Sequence, residues 1–314
     1  MPPREVGLSN ARPFYLPKMP EDIENQKQEE VISISIPLWN PWRVFFWEAV
    51  LFSLTLGLGI VTAFKINKIL EIQKITLPQI SSGKFTFYFL IATLFVLLLS
   101  YLIKFKRGKG IIFKILFVFA VSFGGLLSLE VWLSEPISLI VIVSLILWWW
   151  KFPSVFNHNI LIILGIAGVG SILGLRLTPE IIIGLLIIFS IYDFIAVYKT
   201  KHMVKIAKEM IESKAVLALI IPSSFRDFRG SLGEVRPGGK FLILGGGDII
   251  FSLLFCVSLV PQGILSPLIV AFFSLIGLFT GFLFFISQKT RQPIPALPPI
   301  ALFSILGYLI TRLI

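Results

Sequence analysis

The chain contains four aspartates, Asp22, Asp193, Asp227 and Asp248, and two of these fall inside long apolar runs. A carboxyl group within a bilayer costs at least a few kcal/mol, so Asp193 and Asp248 mark a functional site facing the interior of a helix bundle. Their depths agree. Asp193 lies six residues before Lys199 and Asp248 eight residues after Lys240, and those two lysines bracket one polar connection. At about 1.5 Å per helical residue, both acids lie roughly 9 to 12 Å from the same membrane surface. Two carboxyls a few ångströms apart cannot both ionise easily and share one proton. The ionised member can take a proton from water while the protonated member polarises a carbonyl oxygen. That division of labour hydrolyses a peptide bond without a covalent intermediate.

The residues around the acids suit such a site. Small side chains one helical turn away permit close helix approach: Ser190, Ala196 and Val197 beside Asp193, and Gly245 and Ser252 beside Asp248. Gly245, Gly246 and Gly247 immediately precede Asp248. Glycines in membrane helices commonly serve packing. Three in succession also weaken the helix and let another backbone approach, so exposed backbone here could pair with a locally unwound substrate. Further on, Pro293, Pro295, Pro298 and Pro299 surround the last apolar run. One reading is an ordinary helix start. The other is that four missing N–H donors mark backbone facing protein or a wet cavity.

The elements that must carry these residues follow from composition. Of 314 residues, 56% are hydrophobic and only 14% charged, against about a quarter charged in soluble domains. The expected fold is an all-α bundle of nine transmembrane helices. They run approximately Phe45–Phe64, Phe85–Ile103, Ile111–Leu129, Ile137–Trp150, Ile160–Leu175, Glu180–Tyr198, Phe241–Val260, Pro267–Ile286 and Pro295–Thr311. This divides the chain into a polar N-terminal segment (1–44), spans one to six (45–198), a loop (199–240) and spans seven to nine (241–314). With the N-terminus placed in the cytoplasm, 22 of the 28 Lys and Arg fall on inner segments. The expected protein is therefore a multi-pass cell-membrane protein with N-terminus and loop 199–240 inside and C-terminus outside. The first half of that loop, Lys201–Glu212, has the period of an amphipathic surface helix, with Met203, Ile206, Met210 and Ile211 on one side. Ala215–Ile221 is apolar but too short to span, and 222–240, rich in Gly, Ser and Arg, is expected to be mobile. The first residues show no apolar core or cleavage site of a signal peptide.

Three short motifs then occur in order. Tyr192-Asp193 in span six resembles the YD motif of presenilins and signal peptide peptidases. Gly245-Gly246-Gly247-Asp248 in span seven fits their GxGD motif, and Pro295-Ala296-Leu297 at the start of span nine is similar to their PAL motif. The resemblance covers about Phe45 to the C-terminus. With the short loops and the inferred orientation, it is most like the archaeal presenilin homologues. It implies an intramembrane aspartyl endopeptidase of the GxGD type acting on transmembrane segments of single-span membrane proteins. Asp193 and Asp248 would be the catalytic pair. Tyr192, the three glycines and Pro295–Leu297 would contact substrate. Gly246 stands at a position where presenilins usually carry Leu, which implies a different substrate preference. The six–seven loop is much shorter than in animal presenilins, so self-cleavage there is not expected.

Rival chemistries lack residues. A serine type needs an intramembrane Ser–His pair, and the only histidines, His158 and His202, are read as loop residues. His-Glu-x-x-His is absent, and the single cysteine, Cys256, allows no disulfide and no multi-cysteine metal site. No cofactor, metal or accessory subunit is implied. The net charge of +11 lies between spans as a topology signal, so nucleic acid is not the expected partner. The alternative from another class is a proton-coupled transporter or ion pathway using the same carboxylates. Glu48 and Glu130 are read as near span ends, without a role.

Overall fold

A computed structural model describes residues 40–81, 83–85, 87–88, 91, 109–200, 210–236, 240–288 and 293–313. Its helices begin where the sequence supplies starts. Helix α1 (Pro41–Gln73) is capped by Asn40, whose side chain accepts from the Arg43 N–H. α2 (Lys109–Leu129) follows, then α3 (Glu135–Lys151), which opens on Pro136. Pro153 prevents α3 from continuing. Ser154 and Asn157 then form a reciprocal capping box that starts α4 (Val155–Arg176). α5 (Pro179–Ile195) runs into a widened π turn over Ala196–Thr200. The remaining helices are α6 (Gly246–Ser258), α7 (Leu265–Ser287) and α8 (Leu297–Thr311).

By length and hydropathy, Pro41–Gln73, Val155–Arg176, Pro179–Lys199 and Leu265–Ser287 can each cross a membrane. Phe113–Leu129, Gly246–Gln262 and Leu297–Thr311 are shorter apolar helices. Most of expected span 85–103 and of the surface helix 201–212 lies outside the described residues.

α4 is the central post, touching α1, α2, α3 and α6. Its face toward α2 brings backbones into contact: a Cβ on Gly168 would overlap the Gly124 carbonyl oxygen, the close approach that small residues permit in apolar surroundings. On another side, Ser171 Oγ donates to the Gly59 carbonyl of α1 at 2.8 Å. α7 and α8 are joined by the buried Ser274–Ser304 hydroxyl pair at 2.7 Å.

Among the described residues, the fold departs from an all-helical bundle at a two-stranded hairpin. Strand β1 (Ala218–Pro222) pairs antiparallel with β2 (Phe241–Gly245), with Ala218 opposite Gly245 and Ile220 opposite Ile243. Span seven therefore does not start as a helix at Phe241; its first five residues are strand, and the helix begins at Gly246. The short apolar segment after residue 215 is the partner strand.

α4 makes the hairpin possible. Asn159 Nδ2 donates to the Ile220 carbonyl at 2.7 Å, and the Ile220 N–H donates to Asn159 Oδ1 at 2.9 Å. One turn is shared with His158, whose Nε2 donates to the Ala218 carbonyl at 3.2 Å while its ring stacks on Phe117 at 5.1 Å. His158 is thus a fully buried helical residue rather than a loop residue; His202 lies outside the described residues.

The connection between the strands, expected to be mobile, is folded as far as it is described. Short 3-10 turns over Phe225–Arg229 and Leu232–Glu234 bury Phe228 and Leu232, and Phe228 meets Trp47 of α1 edge-on at 5.0 Å. The Val155 N–H donates to the Gly230 carbonyl at 3.0 Å and the Leu232 N–H to the Pro153 carbonyl at 2.9 Å. The same corner that starts α4 therefore holds the loop.

Removing the Asn159 amide leaves both backbone groups of Ile220 buried and unpaired. Asn159→Ala is expected to destabilise the protein by about 2–4 kcal/mol, measured as a shift in unfolding midpoint in mixed micelles. An unchanged midpoint would show that the clamp is not needed.

Candidate active site

α5 delivers Asp193 in its last turn and α6 delivers Asp248 in its first. The two helices are held side by side by Phe189 and Phe251, whose rings lie 4.5 Å apart; each ring is about one turn from its aspartate. Asp193 is buried, only 6% exposed, and Asp248 is half-buried. The two carboxyls are close enough for the charge of one to act on the other.

Each acid also meets a helix N-terminus, where free N–H groups and the helix dipole favour negative charge. Asp248 stands in the first turn of its own helix. Asp193 Oδ2 accepts the N–H of Leu297, the first residue of α8, at 3.4 Å. Pro298 and Pro299 carry no N–H, so Leu297 is a donor that α8 can turn toward the acid. α8 is seated for this by α7: a Cβ on Gly277 would lie 2.6 Å from the Ile300 Cα.

The glycines before Asp248 differ from one another. A Cβ on Gly245 would stand 2.9 Å from Asp248 Oδ2, so the carboxyl folds back over that residue. Gly246 donates its N–H to the Leu217 carbonyl at 3.1 Å, and a Cβ there would be 2.7 Å from the same oxygen. Gly247 is exposed, and a Cβ on it would meet nothing within 4 Å.

Of the other residues singled out from sequence, Pro295 and Leu297 are buried and Ala296 half-buried beside the pair. Tyr192 is 60% exposed, on the outer surface of α5 rather than between the acids. Ser190 is half-buried, its hydroxyl without a partner among the described residues, and lines an open apolar groove of about 290 Å3 with Ile191, Phe194, Ile195 and Pro298.

Sequence reading missed one acid. Glu48 is 5% exposed, its Oε2 is buried without a hydrogen-bond partner among the described residues, and it lies within electrostatic reach of Asp248. It lines a cavity of about 150 Å3 bounded by Ile243, Leu278, Phe282, Pro293 and Ala296. Its placement near a span end assumed a helix beginning at Phe45. The helix begins at Pro41, and the folded loop covers that end. A glutamate inside an apolar run was the available signal.

A family model described as signal-peptide peptidase, presenilin aspartyl protease matches residues 48–314. The chain belongs to this family. No curated protein matches it by sequence. Among solved structures it is similar to "Structure of a presenilin family intramembrane aspartate protease in C222 space group". That likeness has 23% identity and a TM-score of 0.57, covering 86% of this chain and 99% of the other. A second, "Structure of a presenilin family intramembrane aspartate protease in P2 space group", has 24% identity and a TM-score of 0.53, covering 83% and 96%. These structures share its fold. The protein is a presenilin-like aspartyl protease, integral to the membrane through several spans.

In this family member the two inner glycines separate by cause. Gly246→Ala pushes on the Leu217 carbonyl and is expected to lower the melting temperature by several degrees, whereas Gly247→Ala leaves it within about one degree. Equal losses would mean that the hairpin does not press on Gly246.

Proposed function

We propose that this family member cuts peptide bonds within transmembrane segments of single-span membrane proteins, with Asp193 and Asp248 as its catalytic pair. The observation that carries the reading is the pairing of two acids, one buried and one half-buried, on adjacent helices beside a strand edge that pairs with no third strand among the described residues. Ala218 and Ile220 turn their carbonyls to α4, so both belong to the set of β1 groups pointing away from β2. The backbone groups of opposite residues in an antiparallel pair point either toward each other or away from each other. The N–H and C=O of Ile243, opposite Ile220, therefore face away from β1. α4 occupies the outer edge of β1, which leaves the edge of β2 for a third strand.

A substrate segment added to that edge runs past Gly247 toward Asp248. Pairing holds it extended, so its scissile carbonyl is no longer shielded in a helix. One aspartate in its ionised form takes a proton from a water, and the resulting hydroxide attacks the carbonyl carbon. The other, protonated, donates to the carbonyl oxygen. Collapse of the tetrahedral diol breaks the C–N bond, with a proton passing to the leaving nitrogen. The first-turn N–H groups at α6 and α8 stabilise whichever carboxyl is ionised. Lateral access from lipid is offered by the apolar groove at Ser190, Phe194 and Pro298. Tyr192 stands on the same outer surface, where it meets substrate before cleavage rather than during it.

The reading extends to the whole chain: nine spans, a polar segment over 1–44, the loop 199–240 and the N-terminus cytoplasmic, the C-terminus outside. It invokes neither cofactor nor accessory subunit.

The test is cleavage of a labelled single-span peptide in liposomes, followed by mass spectrometry. Asp193→Asn and Asp248→Asn are each expected to lower the rate by at least about a thousandfold while folding normally. Ile243→Pro removes an N–H from the free edge without touching the β1–β2 ladder. It is expected to abolish cleavage at unchanged melting temperature, whereas Leu244→Pro, inside the ladder, lowers both. Normal cutting by either Asn variant would mean that the wrong residues are named, and normal cutting by Ile243→Pro would remove strand addition.

A further inference from the structure

Glu48 has no task in the hydrolysis just described, yet its position is costly. A carboxylate removed from water needs a cation or hydrogen-bond donors. Oε2 has neither among the described residues, and the like-signed Asp248 is within electrostatic reach of it. A cation from outside the described residues can repay that cost.

The space beside Glu48 indicates what. The cavity of about 150 Å3 has apolar walls from Leu278, Phe282 and Pro293, with Glu48 as the acid among its lining residues. An apolar cavity of about this volume takes a group the size of benzene. A long aliphatic stem with a charged tip fits both features: Lys and Arg bury their methylenes along apolar surface and place the head against a carboxylate. The cavity also lies on the path of substrate, because Ile243 and Ala296 belong to its lining. Ile243 carries the free edge of β2, and Ala296 adjoins the Leu297 amide at Asp193.

Membrane substrates supply such a side chain at this depth. Lys and Arg concentrate just beyond the cytoplasmic ends of spans, and the proposed orientation puts the acid pair near that end of the bundle. We infer that Glu48 closes a subsite for a Lys or Arg side chain of the substrate, a few residues from the scissile bond toward the cytoplasm. The inference rests on the proposed protease reading with strand addition and assigns it a substrate class.

The test uses the full chain in liposomes with single-span peptides carrying Lys, norleucine or Glu at each of several positions beyond the cleavage site. At one position, kcat/KM for Lys is expected to exceed that for norleucine by about tenfold or more, with Glu lowest. Glu48→Gln should bring the Lys-to-norleucine ratio to about one, and Glu48→Lys should invert the preference toward Glu. Equal cutting of Lys and norleucine peptides at every position by the unsubstituted protein overturns the subsite, and needs no variant to fold. A Lys preference that survives Glu48→Gln also overturns it. Failure to cut any peptide would overturn the protease reading itself, a result distinct from both.

Discussion

The pairing of Asn159 with both backbone groups of Ile220 is the contact on which the site depends. In an apolar medium every N–H and C=O must find a partner, and non-helical backbone survives only where protein or a wet cavity receives it. A two-stranded hairpin alone would leave two open edges. Asn159 and His158 close one of them from the side of a helix, and β1 thereby becomes a fixed wall. β2 is held against that wall, and Gly246, through its bond to Leu217, ties the strand directly to the start of α6. The position of Asp248 is thus set from the β1 side as much as by its own helix.

Asp193 is fixed by a different route that ends at the same point. α7 receives α8 at Gly277 and at the Ser274–Ser304 pair, which sets where α8 begins. The Leu297 N–H then lands on the carboxyl. The π turn that follows α5 widens the backbone immediately beyond Asp193, a local departure that recurs at functional positions. Two acids are therefore held by two helix N-termini and one aromatic contact. Among the described residues no basic side chain bonds to either carboxyl, so these contacts alone place them.

Much of this was legible in the sequence, and the reasons for the rest are physical. Asp193 and Asp248 stood out because a carboxyl in an apolar run is expensive, and the expectation of similar depths, about 9 and 12 Å, came from counting to Lys199 and Lys240. α3 to α5 and α7 follow apolar runs and proline or serine starts. The hairpin was hidden because Leu242, Ile243 and Leu244 extend the apolar run of the next helix without a break. Periodicity cannot separate a buried strand from a buried helix over five residues. The partner strand was noticed as apolar and short, but its place depends on Asn159, sixty residues away. His158 and Glu48 were misplaced for one reason: both lie near the ends of apolar runs, and both helices begin about five residues earlier than hydropathy alone suggests. Those extra turns are covered by the folded 222–236 segment, which composition did not announce.

The same geometry bears on the position that departs from the family pattern. Gly246 occupies the variable place of the GxGD motif, and the sequence alone suggested that a small residue there alters what the substrate meets. In the fold, however, the missing Cβ of Gly246 faces Leu217, not open space; the open side belongs to Gly247. A larger residue at 246 would act first on β1, pushing it from β2 or rotating the strand pair. Under the proposed strand addition, a substrate would sense the change through the angle and height of the edge at Ile243. On that reading, selectivity at this position would depend on how tightly the hairpin closes on the start of α6, and only secondarily on the side chain itself.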